Sequence, residues 1–156
     1  MQKQLRVLFS SMLVFALCVC NMINVNAEDA TECVEGSKLL EEEYSEGTSE
    51  MEVQARGMYL GSGTTSISKV GTGKIVAGGR TVGQMVVDKI SVTVRVERLV
   101  NGSWASYTSW SATKNNAALV STSKTLTVPI GYYYRVYSIH KANSNISDSF
   151  TDGIHV

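Results

Sequence analysis

Trp104, Tyr107, Tyr133 and Tyr137 are interleaved with Arg95, Arg98 and Arg135 along the second half of the chain. Flat rings beside polar groups stack on sugar rings, and guanidinium groups hold carboxylates and phosphates through paired hydrogen bonds. These seven residues are the expected binding surface, for a glycan, an anionic polymer or a protein. The competing reading makes Trp110 and the inward tyrosines core and leaves the outward rings as braces of a sheet.

Other chemistry is excluded residue by residue. Gly71-Thr72-Gly73-Lys74 lacks the upstream glycine, the following Ser or Thr and the helix of a phosphate loop. Gly61-x-Gly63 and Gly71-x-Gly73 lack the third glycine of a dinucleotide fingerprint. His140 and His155, with Asp152 nearby, lack the spacing of a metal-ligand motif. No Gly-x-Ser-x-Gly elbow is present. Asp88, Glu97, Asp148 and Asp152 are the only carboxylates from Val53 onward for acid–base work. No catalytic residue, cofactor or metal is expected.

Strands must position the candidate surface, because no stretch holds a 3.6-residue apolar period. Ile90, Val92, Val94 and Val96 alternate with Ser91, Thr93, Arg95 and Glu97, which predicts one buried and one wet face. Asn101-Gly102 between two β-type runs predicts a tight hairpin. A two-residue loop sets Val96 opposite Tyr107. A three-residue loop with a bulge at Gly102 sets Val94 opposite Thr108 and Val92 opposite Trp110, and this version, which lays Trp110 over the valines, is favoured.

Tyr132 to His140 reads as a long strand with Tyr132, Tyr134, Val136 and Ser138 inward and Arg135 in solvent. Ser123 to Val128 and Phe150 to Val156 read as further strands, with Lys141 to Asp148 as a polar loop. Short strands at 57–60, 66–70 and 74–76 are separated by Gly61-Ser62-Gly63, Gly71-Thr72-Gly73 and Gly78-Gly79. About seven short strands predict an all-β, antiparallel β-sandwich.

The start of the chain sets the compartment. Lys3 and Arg6 precede an uncharged run from Val7 to Ile23, and Val25 and Ala27 occupy the small-residue positions of a cleavage site. Residues 1–27 are predicted to be a signal peptide cut after Ala27, so the mature protein is secreted and the chain meets the membrane only through that peptide, before cleavage. A retained anchor and a lipid-modified Cys18 or Cys20 fit less well: the run is short for a span, and Leu17 and Val19 stand where lipid attachment needs a small residue. Cleavage leaves Cys33 alone, so the fold must stand without an internal disulfide.

Charge is divided sharply. Residues 28–52 hold ten acids and one base, whereas residues 53–156 hold eleven bases and four acids. With few large apolar side chains, residues 28–52 are expected to be a disordered acidic linker, a spacer or a removable shield ahead of a sandwich domain at 53–156. The basic domain would attract nucleic acid without specificity, but it has no recognition motif, and export removes that partner.

Tyr134-Arg135-Val136-Tyr137-Ser138, after the Pro129 and Gly131 corner, resembles the sixth strand of fibronectin type III modules. That resemblance implies an immunoglobulin-like or fibronectin-like sandwich in which the hydroxyl of Tyr134, with Tyr132 second, ties the corner to upstream backbone; Trp110 over the valines and Gly102 in the hairpin are the other expected structural positions. A wider resemblance rests on Arg56-Gly57-Met58-Tyr59-Leu60, Gly73-Lys74-Ile75-Val76, Val96 through Trp104, Ser109-Trp110-Ser111-Ala112-Thr113 and Gly131 through Val136. In these the chain resembles a family of small exported proteins of clostridial-type Gram-positive bacteria, known as a domain of unknown function. It implies export and brings no catalytic residues. The expected function is non-catalytic binding of a cell-envelope polymer or an extracellular protein. The alternative is a secreted, bacteriocin-like effector.

Overall fold

A sheet with one valine-rich face must close that face against something apolar, and here the sheet closes on itself. The computed structural model describes residues 32–49 and 59–156. They form β1 (Cys33–Val34), β2 (Ser37–Leu40), β3 (Tyr44–Thr48), β4 (Leu60–Gly71), β5 (Lys74–Val100), β6 (Ser103–Thr127), β7 (Tyr133–Ala142), β8 (Asn145–Phe150) and β9 (Gly153–His155), with no helix among the described residues. The predicted signal peptide, residues 28–31 and 50–52 of the expected linker, and Arg56-Gly57-Met58 lie outside the described residues.

All nine strands join one sheet in the order β1-β2-β9-β7-β5-β4-β3, with β6 paired to β5 and β8 to β7. Every pair is antiparallel except β2 with β9, where Leu39 lies beside Gly153 and Leu40 beside Ile154. The all-β class is as expected. The sheet is mixed, and long strands replace the expected short ones.

β5 and β6 form a hairpin from Lys74 opposite Thr127 to Val100 opposite Ser103. Its turn has two residues, Asn101 at φ 52° and Gly102 at φ 77°, the left-handed pair that matches strand twist. Arg98 faces Ala105 and Glu97 faces Ser106; Tyr107 then bulges out, and Val96 faces Thr108 while Val94 faces Trp110. Neither expected register holds, because the extra residue sits in the strand at Tyr107 rather than in the turn. Trp110 still packs against the valine face.

Midway, Gly83 to Val86 of β5 stand opposite Ala118 alone, and the strand turns a corner. Before the corner β5 pairs with β4, and after it with β7. The two halves face each other: a Cβ on Gly79 would lie 2.9 Å from Val92 Cγ2 and 3.0 Å from Val94 Cγ2. Ile67, Ile75, Ala77, Ile90, Val92, Val94, Val96, Tyr134, Val136 and Ile154 are fully buried between the layers. At the far side a Cβ on Gly47 of β3 would overlap the Phe150 carbonyl oxygen of β8, so these two edge strands meet backbone to backbone.

Several local expectations are corrected. Gly61, Gly63, Gly78 and Gly79 sit inside strands instead of breaking them. Lys141 to Asp148 is a hairpin between β7 and β8, turning at Asn143 (φ 49°) rather than forming a polar loop. The closing strand is divided into β8 and β9.

The described part of the acidic segment, residues 32–49, is not disordered. β3 pairs with β4, β2 pairs with β9, the Ser37 hydroxyl donates to the Thr151 carbonyl at 2.9 Å, and the Lys38 amide donates to Asp152 at 2.8 Å. Hydrogen bonding orders a segment that apolar burial alone would leave loose.

Two glycine substitutions separate close packing from backbone strain. Gly47→Ala has no room against Phe150 and is expected to destabilise the fold by about 3 kcal/mol or more. Gly102→Ala meets nothing within 4 Å, so only its left-handed φ is penalised, by about 1–2 kcal/mol. Urea unfolding of both variants checks the order.

Candidate functional site

Of the seven residues expected to form one binding surface, six fall into three clusters and Tyr133 stands apart. In the first, Arg135 is 6% exposed, not solvated. Its Nε donates to Glu97 at 2.8 Å, its Nη1 to the Ser37 hydroxyl at 2.9 Å and the Glu35 carbonyl at 3.1 Å, and the guanidinium lies 4.7 Å from the Trp104 ring centre and 5.4 Å from that of Phe150. Trp104 is half-buried and its indole donates to the Val34 carbonyl at 3.0 Å. The β1–β2 turn and Trp104 cover Arg135, so this residue clamps the acidic segment and is not free for a ligand.

Arg95 and Tyr137 form the second cluster. Arg95 pairs with Glu97 at 2.7 Å and stacks 4.7 Å from the Tyr137 ring. Burial, and then Asp148, push the Tyr137 phenol above its usual pKa. In the third, Arg98 stacks on Tyr132 at 4.6 Å and on Tyr107 at 5.8 Å, with Tyr107 39% exposed. Tyr133 stands apart, its hydroxyl donating to Glu41 at 2.6 Å and its ring 5.0 Å from His155. Of the structural positions, Tyr134 is fully buried and its hydroxyl donates to the Pro129 carbonyl at 2.9 Å, five residues upstream. Tyr132, expected inward, is 40% exposed, because it precedes β7 and escapes the strand's alternation.

The two histidines do not meet. His155 pairs with Tyr133, and His140 lies seven residues further along β7, about 23 Å at strand rise. Among the described residues no three His, Cys, Asp or Glu side chains converge for a metal. His140 is fully buried between Thr81, at 2.8 Å from Nδ1, and Ser149, at 2.8 Å from Nε2; Ser149 in turn lies 2.6 Å from Thr65. The Thr81 hydroxyl donates to the Ser91 carbonyl, so it accepts from Nδ1–H. Ser149 then donates to Nε2, and Thr65 donates to Ser149. One neutral tautomer satisfies the whole chain of hydroxyls. A serine on an imidazole nitrogen is the arrangement of nucleophile and base, yet here both are sealed inside and a threonine takes the place of the orienting carboxylate.

An open concavity lies on the outer face of β3, β4, the first half of β5 and the second half of β6. Register aligns Glu46, Ser66, Gly78 and Ser123 in one row across the four strands, and Thr48, Thr64, Arg80 and Ser121 in the next. Gly78 contributes no side chain, so the rows enclose a trough of about 530 Å³. The hydroxyls of Thr64, Ser66, Ser121 and Ser123 and the guanidinium of Arg80 make no hydrogen bond or ion pair with the other described residues. At the β3 edge Tyr44 donates to Glu46, and that bond raises the phenol's pKa above its usual value. Thr64, Ser66 and Ser68, and Ser121, Ser123 and Thr125, were the only sequence signal: hydroxyls at every second position.

A family model matches residues 26–153. The chain belongs to a family of unknown function, DUF6147. No curated protein and no solved structure matches it. The matched span takes in both the acidic strands and the trough.

Glu97 is 4% exposed and serves both Arg95 and Arg135. Glu97→Ala strands a buried guanidinium and is expected to destabilise by about 3–5 kcal/mol, whereas removing the exposed Glu35 carboxylate by Glu35→Gln is expected to cost under about 1 kcal/mol; denaturant titration compares them. Burial lowers the His140 pKa from 6.5 to about 4. Between those values the unfolded chain binds more protons than the folded one, so stability is lost as pH falls through that window. The loss is expected to reach about 3 kcal/mol at pH 4 relative to pH 7. Unfolding free energies measured across that range should show it, and His140→Gln should flatten the slope.

Proposed function

We propose that the chain is an exported, non-catalytic binding module acting at or outside the cell envelope, with a glycan-type envelope polymer held in the trough. The observation that carries this reading is the set of unspent hydroxyls around Arg80 on an open, concave sheet face. Sugars present many hydroxyl donors and acceptors, and a lattice of uncommitted protein hydroxyls is a suitable counterpart. Export rests on the charged start, the apolar run and the Val25 and Ala27 cleavage positions; the family match begins at residue 26, beside that point.

The curl is read as an immunoglobulin-like or fibronectin-like sandwich, supported by the two facing halves of β5 and by the Tyr134 hydroxyl on Pro129. A non-catalytic role is favoured by the trough's content, one carboxylate and one guanidinium without a nucleophile and base pair. An extracellular protein remains the partner to compare, through the Arg98, Tyr107 and Tyr132 end. The effector reading drew on a removable acidic segment, and that motive weakens where Glu35 and Ser37 hold Arg135.

Mass spectrometry of the secreted protein is expected to give an N-terminus at Glu28. The secreted form is expected to be retained on isolated cell-wall glycan at low salt and released as salt rises. Absence of retention at low salt removes the polymer reading.

A further inference from the structure

The trough carries charge in a pattern that narrows its ligand, an inference that rests on the binding reading above. Glu46 and Arg80 are two strands and one row apart, about 12 Å between Cα atoms at sheet spacing. They are not paired with each other, and the Arg80 guanidinium is uncommitted among the described residues. Between them the floor is Gly78, flanked by the Ser66 and Ser123 hydroxyls of the same row.

We infer that the trough takes a sparsely anionic, hydroxyl-rich glycan laid across the strands, with one carboxylate or phosphate group on Arg80 and sugar hydroxyls on Ser66, Ser123 and Glu46. Arg80 offers the planar fork that suits either anion. The second oxygen of Glu46, not used by Tyr44, accepts from sugar hydroxyls. The same carboxylate repels a ligand charged at every repeat. The trough therefore discriminates against dense polyanions even though the chain from Val53 onward is basic. Four strands span about 14 Å, so the ligand is a short stretch of a chain rather than a single small molecule.

The test is an NMR titration of the full secreted form with three oligosaccharides of equal length: one bearing a single uronic carboxylate, one a single phosphodiester, and one neutral. At least one anionic oligomer is expected to bind about tenfold tighter than the neutral one, with amide shifts centred on Ser66, Gly78 and Ser123; which anion wins names the source. Arg80→Ala, on an exposed side chain, is expected to erase the difference, Arg80→Lys to keep part of it, and Glu46→Gln to improve binding of a sulfated polysaccharide that the natural protein resists. Equal affinity for neutral and anionic oligomers, an unaffected Arg80→Ala, or no binding by any oligomer overturns the inference. If the protein is retained on cell wall but the shifts fall at Arg98, Tyr107 and Tyr132, the trough is wrong while the binding reading stands.

Discussion

A single sheet that buries its own face must bring strands of the same sheet within side-chain reach of each other, and large residues on both layers would hold them apart. Here the contact points on one layer are glycines. Gly79 admits Val92 and Val94, Gly63 admits the His140 ring, and Gly47 admits the Phe150 backbone. With those three positions empty, the layers approach closely enough for the fully buried apolar side chains and the His140 hydroxyl chain to share one interior. The hydroxyl chain is a consequence of the approach: Thr65 and Thr81 come from one layer, His140 and Ser149 from the other. Its satisfied polar groups specify how the layers register, which valines alone do not.

The outer face of the second layer uses charge in the same structural way. Glu97 and Arg135 stand opposite each other on β5 and β7, and both are buried. The acidic strand pair lies over them, with the Glu35 carbonyl and the Ser37 hydroxyl completing the Arg135 donors. The acidic and basic halves of the chain are thus joined by specific contacts, among them the Glu35 carboxylate 3.4 Å from Arg135 and Glu41 accepting from the Tyr133 hydroxyl.

Period-two burial was legible: Ile90, Val92, Val94 and Val96 are all fully buried. Tyr134 at the corner was legible too, from its place after Pro129 and Gly131. Strand lengths were not, because glycine has two uses that look alike in sequence. Gly102 and Gly131 have positive φ and end strands; Gly61, Gly63, Gly78 and Gly79 do not, and serve close approach inside strands. Arg135 was assigned to the correct face, yet alternation says nothing about what covers a face. The ordering of Ser37 to Leu40 depended on partners more than a hundred residues away, and that of Tyr44 to Thr48 on pairing with β4. The trough was hidden for the same reason: Glu46, Ser66, Gly78 and Ser123 become neighbours only through the registers of three strand pairs.

The commitments of the arginines are what favour the trough over the aromatic surface as the proposed binding site. Arg95 and Arg135 are committed to Glu97, and Arg98 is held between two tyrosine rings. An arginine already satisfied by a buried carboxylate cannot turn to a ligand without leaving that carboxylate unpaired in a dry site. Among the described residues Arg80 bears no such obligation, and it stands on a face whose neighbours are hydroxyls and a glycine. Aromatic interleaving marked residues that brace the sheet; the trough is marked instead by what its side chains leave unbonded.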